Sequence, residues 1–457
     1  MLCEKCHHCG LCEGDGKSED SSNMQISVDG LLPFEPRGGA IADARICIAV
    51  DIGTTTIAAS SYAMSSEKRL SYVCAVNEQR SFGKDVLSRI AFSSETHNGI
   101  FGQQILHEKI VLQINALLSK LISQTTFLLP RGFRAEVAEI AITGNTTMLS
   151  FAFNLDATPL ATAPFTPPSL FGASFLYGDF LASVRVPFAP VPLSTPIFVP
   201  PCISAFVGAD TVCALTACGF GADNSARMLA DVGTNCEMAI QSSAGKITCT
   251  ASAAGPAFEG YGISAGMSAA SGAIADVSVH SDTLGGKALA CSVIGGARAK
   301  GICGTGLLSA LGAFLELGLL SFDGAILGDA DRILLRDGVF LLQSDIRAVQ
   351  LAKSAVKTGL DFLVERAGEN AGIQKFFLAG SFGTKLKITD AVKIKMIPSQ
   401  LAPVALSAGN AALSGATAVL LRKELRVCAK KIAENAECVN LAEVSDFQER
   451  FLSNLAL

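Results

Sequence analysis

One pattern occurs twice in this chain and limits its fold more than any other feature. An apolar run ends in Asp, one apolar residue, Gly and Thr, first as ICIAVDIGTTT and again as MLADVGTN. Asp51 and Asp231 hold the same place in the two copies, and β-branched or small residues able to form a return strand follow each. A short apolar run bounded by a glycine turn reads as a buried strand. Helical spacing follows at 84–92, 103–122 and 345–366, EVAEIAITG reads as a strand running into a helix that opens near Asn145, and KFFLAGSFG as a strand entering a glycine turn. The Pro-rich stretch 159–201 reads as an irregular insertion or connection. Strands alternating with helices, built twice on one plan, predict an α/β protein of two similar halves.

Composition agrees with a folded, multidomain chain. Its 457 residues are 49% hydrophobic and 17% charged, so a sizeable core is expected and disorder is not. The net charge of −5 supplies no basic field, which argues against nucleic acid or an anionic membrane surface as the main partner. No apolar run reaches the roughly 18 residues of a spanning helix, so membrane insertion is not expected. Fifteen cysteines in a long chain, with no apolar leader at MLCEKCHHCG, predict a reduced, cytoplasmic protein.

Phosphates are bound best by backbone N–H groups in tight turns supplemented by hydroxyls. Gly53, Thr54, Thr55 and Thr56 supply both, and Gly233, Thr234 and Asn235 repeat the arrangement. Mg²⁺ on a triphosphate uses one or two carboxylates and several waters, which suits Asp51 and Asp231 as a facing pair. Either turn alone has an ordinary conformational explanation. The two in order, followed by further glycine turns, predict one clamp assembled from two halves.

The order DIGTTT, DVGTN and a late AGSFG resembles the phosphate and adenosine signatures of the actin, sugar kinase and Hsp70 ATPase superfamily. The resemblance implies a two-lobed actin-like (ribonuclease H-like) ATPase fold with ATP in an interdomain cleft. It implies that Gly380, Ser381, Phe382 and Gly383 lie against the adenine or ribose. It also implies that Gly304 and Gly306 are cofactor-binding residues at the start of a helix that connects the lobes.

NEQRSFGKDVLSRI, GNTTM, APFTP, PCISAFVGAD, DVGTNCE, AAGPAFEG, GICGTGL, DIRAVQLAKSAVKTGL and GNAALSGA narrow the match. Together they resemble the ATP-dependent reductive activators of corrinoid proteins over nearly all of the chain after Arg45. What this implies is an iron-sulfur ATPase that returns an inactive Co(II) corrinoid of a methyltransferase system to Co(I), taking its electron from an upstream donor. In AAGPAFEG, Glu259 becomes a candidate for the cleft. Glu237 stays open as a nucleotide or metal contact, and Lys353 reads as an exposed helical lysine.

Many members of that family carry a ferredoxin-like domain, for which there is no room before Arg45. In its place Cys3, Cys6, Cys9 and Cys12 stand three apart, matching the loop that wraps a cubane in bacterial ferredoxins, although the usual following proline is absent. Four thiolates in one short loop favour a [4Fe-4S] cluster. A structural zinc site using these thiols with His7 and His8 is the competitor. Cys47, Cys202, Cys213, Cys236, Cys249 and Cys303 read as buried small hydrophobes. The domain plan is a head at 1–16, a linker at 17–45 and lobes at 46–209 and 210–457. Three rival functions use the same fold: a small-molecule kinase, an activator of a radical acyl-CoA dehydratase or reductase, and a nucleotide-gated assembly factor.

Overall fold

The first Asp-x-Gly-Thr unit folds as a hairpin in which β1 (Arg45–Ile52) returns antiparallel as β2 (Thr56–Ala63) and continues into β3 (Arg69–Val76). Its turn closes where the Gly53 N–H donates to the Thr56 carbonyl at 2.9 Å. Positions 46–50 of β1 are all buried, so the strand reads as a continuous apolar run without alternation, as expected for a strand covered on both faces. β4 (Glu136–Gly144) and β6 (Pro196–Pro201) join in parallel, and β5 (Phe171–Leu176) closes the edge, giving the order β3-β2-β1-β4-β6-β5.

The second unit repeats this path. β7 (Arg227–Val232), β8 (Cys236–Gln241) and β9 (Ile247–Ser252) form the antiparallel trio, and β10 (Lys375–Ala379) and β11 (Ala405–Gly409) add in parallel beside β7. With β12 (Glu437–Val439) on β9, the order is β11-β10-β7-β8-β9-β12. These elements come from a computed structural model that describes residues 31–39, 41, 43–281, 286–329, 331–368, 372–380 and 385–457. The four-cysteine head, the first part of the linker, and Ser381, Phe382 and Gly383 lie outside the described residues.

Each sheet has one face in its own lobe. Ile46, Ile48 and Val50 pack with Ile110, Ile114 and Leu118 of α1 (Gly102–Leu128). The opposite faces are covered across the lobes. α2 (Ala209–Ala217) leaves the first lobe and places Val212 and Leu215 against Leu229 and Phe377 of the second sheet. α5 (Ala411–Leu421) leaves the second sheet and places Leu413, Ala416 and Leu420 against Ala49, Ala58 and Ala141 of the first. The two helices cross at Gly415, where a β-carbon would stand 1.8 Å from the Cys213 carbonyl oxygen, so no other residue fits without separating them.

Two expectations are corrected. The helix that opens at Gly304, α3 (Gly304–Glu316), does not connect lobes; Leu307, Leu311 and Phe314 sit in the second-lobe core with Ile274 and with Ile346 and Val349 of α4 (Gln343–Ala367). The stretch 159–201 is more than a connection, since it supplies β5 and the integral strand β6. Its prolines hid the strand because β6 meets β4 only through Ile197 and Phe198, leaving Pro196, Pro200 and Pro201 outside that ladder. No helix among the described residues is long and apolar enough to cross a membrane.

Candidate functional site

The β1–β2 and β7–β8 turns are joined by one carboxylate. Thr55 Oγ1 donates to Glu259 Oε2 at 2.8 Å, and Thr234 Oγ1 donates to Glu259 Oε1 at 2.7 Å. Glu259 ends the single helical turn Pro256–Glu259, whose entry is fixed by the Gly255 N–H donating to the Thr234 carbonyl at 2.8 Å. Two more contacts cross the cleft. The Arg80 guanidinium lies 4.5 Å over the Tyr261 ring and donates to its hydroxyl at 2.9 Å. Asn410 Nδ2 donates to Asp51 Oδ2 at 2.9 Å, while its Oδ1 accepts from the Leu413 N–H and caps α5.

The first turn is supported from beneath by its own lobe. Asn77, buried, donates through Nδ2 to the Gly53 carbonyl and through its backbone N–H to the Thr55 carbonyl, both at 2.9 Å. Arg89 is fully buried and donates to the Thr54 carbonyl at 2.5 Å and the Gly83 carbonyl at 2.9 Å. Burial lowers its pKa to about 10. Asn145 caps the helix Thr146–Ala152 and donates to Thr54 Oγ1 at 3.2 Å. The turn's carbonyls are thus fixed from inside the lobe, and its shape is preorganised.

Four carboxyls crowd the cleft. Burial pushes Asp51 and Asp231 each up to about 7 and Asp210 up to about 6, and Asp210 raises both of the others. Glu237, opposite Asp231 in the β7–β8 register, is pushed well above the carboxylate range by burial and then by Asp210 and Asp231. Gly380, at φ +87°, comes so near that a β-carbon there would stand 2.6 Å from Asp231 Oδ1. Among the described residues no three metal-ligating side chains converge into a direct cage.

The sequence-predicted residues Asp51, Gly53, Thr54, Thr55, Asp231, Gly233, Thr234, Asn235 and Glu259 come together around the two turns and the loop that joins them. Thr56 instead begins β2 and is exposed. Gly304 and Gly306 are buried at the start of α3. Lys353 is not exposed as expected; it is fully buried within α4. Cys47, Cys202, Cys213, Cys236, Cys249 and Cys303 are buried thiols. Sequence reasoning missed Asp210, Asn410, Asn77, Arg89 and Asn145. Each lies in a string already singled out, and for Asp210 the signal was the Gly-x-Asp that ends PCISAFVGAD.

Residues 46–223 match the family described as the RACo middle region, and residues 225–457 match the C-terminal domain of RACo, the ASKHA domain. A corrinoid activation enzyme, RamQ, of Eubacterium limosum is 30% identical over 434 residues, covering 89% of this chain and 69% of that protein. A Co(II) methylated amine-specific corrinoid protein reductase of Methanosarcina barkeri is 26% identical over 438 residues, covering 90% of this chain and 76% of that protein. Among solved structures, a reductive activator for a corrinoid, iron-sulfur protein superposes with a TM-score of 0.77 at 26% identity, covering 92% of this chain and 67% of that one.

Proposed function

This chain belongs to the RACo family, and on that premise we propose that it is an ATP-dependent reductive activator of a corrinoid protein, returning Co(II) to the methyl-accepting Co(I) state. The observation that carries the nucleotide part is the Glu259 carboxylate, which holds one hydroxyl from each lobe's Asp-x-Gly-Thr turn. Gly53, Thr54, Thr55, Gly233, Thr234 and Asn235 would hold the phosphates of ATP, with Gly380 beside Asp231. Asp51, Asp210, Asp231 and Glu237 would face the Mg²⁺. Bound ATP with Mg²⁺ supplies a phosphoanhydride whose cleavage needs in-line geometry and charge neutralisation but no protein nucleophile.

The chain's own residues then do three things. Arg89, Asn77 and Asn145 keep the first turn in shape before ligand arrives. Glu259 sets the spacing of the two turns, because its two oxygens each take a different lobe's threonine. Asn410 ties Asp51 to α5, so the position of the first lobe's carboxylate depends on the helix that covers the first sheet. Cys3, Cys6, Cys9 and Cys12, outside the described residues, are the donor set that a 4Fe-4S cluster uses, and such a cluster supplies one electron at a time. For a one-electron step ~59 mV corresponds to ~1.4 kcal/mol, so a few kcal/mol from the nucleotide cycle is enough to matter.

The test is an anaerobic assay in which the reduced protein is mixed with a corrinoid protein in its Co(II) state and Co(I) is followed by absorbance. Co(I) should accumulate only with Mg²⁺ and ATP, and should fail when Cys3, Cys6, Cys9 and Cys12 are Ala. Equal Co(I) without nucleotide refutes the ATP part. Phosphate transfer to a sugar, with no Co(I), moves the reading to a kinase.

A further inference from the structure

Away from the cleft, a cavity of about 310 Å³ opens between α4, the segment 395–400 and the segment 453–456. Three lysines line it, Lys353, Lys357 and Lys395, together with Ser399, Gln400 and Asn454. None of these residues belongs to the nucleotide cleft described above. Lys357 is paired with Asp361 at 2.5 Å. Lys353 and Lys395 have no carboxylate partner among the described residues.

Lys353 is the unusual member. Its side chain is 0% exposed, and its ammonium donates to the Ala456 carbonyl. That leaves two of its three donors without a protein acceptor among the described residues. Burying an ammonium without a counter-charge is costly, which is why lysine is almost never fully buried unless paired. Burial first, then Lys395 and Lys357, lower its pKa to about 7. Lys395 stands at φ +56° just past the short helix Ile388–Lys393, a place where glycine is the usual residue. The chain therefore keeps a cation both where burial opposes it and where the backbone does.

We propose that this cavity binds a small phosphate-bearing anion, with Lys353 at its floor and Lys395, Ser399 and Gln400 at its mouth. Two ammoniums without carboxylate partners match the two charges of inorganic phosphate or a phosphate monoester. Lysine suits this task because its ammonium is a compact point charge that serves phosphate oxygens from several directions. Hydroxyl and amide groups from Ser399, Gln400 and Asn454 offer the remaining donors.

The first probe is pyridoxal 5′-phosphate, which brings a phosphate and an aldehyde together. The aldehyde condenses with a lysine amine and loses water; borohydride then donates hydride to the imine and fixes it as a secondary amine. Peptide mass spectrometry of the full chain should find the label on Lys357 or Lys395, beside the phosphate held at Lys353, in preference to lysines outside the cavity, and inorganic phosphate should suppress that labelling at least tenfold. The second measurement is equilibrium dialysis of radiolabelled phosphate, with and without a non-hydrolysable ATP analogue and Mg²⁺. Lys395→Gln, on the surface, should weaken the phosphate binding that persists with the analogue present by about tenfold. Labelling spread over lysines outside the cavity, no protection by phosphate, or phosphate binding unchanged in Lys395→Gln would each overturn the proposal. Because the cavity is separate, failure of nucleotide to bind in the cleft leaves these outcomes readable.

Discussion

Asp231→Asn should stabilise the protein at pH 8 in the absence of nucleotide and leave it nearly unchanged at pH 4. Burial, followed by Asp210 and Asp51, raises the Asp231 carboxyl from its ordinary 3.8 to about 7. Between those values the folded chain keeps a proton that the unfolded chain has released, so stability is fullest below 3.8 and declines as pH rises through about 7. Three units at about 1.4 kcal/mol each correspond to about 4 kcal/mol for an isolated, fully buried group. Partial solvent contact, and the relief given to Asp51 and Asp210 when one charge is removed, reduce this to about 2 kcal/mol. The assay is the urea-unfolding midpoint from pH 4 to 8, anaerobically and with a chelator present. Wild type should lose stability across that range, and the variant should show a shallower fall. With Mg²⁺ and ATP the order should reverse, since the wild-type cleft then gains a neutralising cation that the variant binds less well. Parallel pH curves for the two proteins would refute the account of the cleft as a store of uncompensated negative charge.

Three further substitutions test other parts of the site. Glu259→Gln offers one acceptor where two threonine hydroxyls now donate, and hydrogen bonds to a charged group are worth about 1.5–3 kcal/mol; ATP hydrolysis should fall at least tenfold and the unfolding midpoint should fall with it. Arg89→Leu strips the Thr54 and Gly83 carbonyls of a buried donor and should cost about 3 kcal/mol, read by chemical denaturation, with ATP affinity weakened as well. Gly415→Ala gains about 1 kcal/mol of helix propensity but drives a methyl into the Cys213 carbonyl, an overpacking cost of about 1–3 kcal/mol or more; a lowered thermal midpoint is expected, and a raised one would show that α2 and α5 separate freely.

The two hairpins were legible because their physics is local. An apolar run, a turn without side chains in the way, and a return strand are written in adjacent residues, and β1–β2 and β7–β8 form where ICIAVDIGTTT and MLADVGTN predict. The Ala/Leu helix after Gly304 was legible as a helix, but its partners were not, since GTGLLSALGAFLE is apolar enough to pack almost anywhere. Lys353 misled for a related reason: helical spacing gives the side of the helix, while the C-terminal segment that covers that side comes from a hundred residues later. Asp210 and Asn410 were invisible as site residues because each acts on carboxyls far from it in the chain, Asp210 on Asp51 as well as Asp231. Asp210 raises Asp231, and Asn410 donates to Asp51, across contacts that no sequence window contains.

Those two residues also connect the cleft to the two crossing helices. Asp210 lies in the first turn of α2 and Asn410 caps α5, so each crossing helix begins at the cleft. Each then runs beneath the sheet of the opposite lobe. A change in charge at the four carboxyls therefore acts directly on the first turns of the two helices that join the lobes. At their crossing the Gly415 contact leaves no slack, for a β-carbon there would already overlap the Cys213 carbonyl. Close-packed interfaces of this kind shift between discrete arrangements and do not deform smoothly. A ligand that binds one arrangement more tightly moves the lobes by as much as its differential affinity allows. On the function proposed above, a cation and its phosphates would satisfy the arrangement that gathers Asp51, Asp210, Asp231 and Glu237 and would have less to gain from one that spreads them.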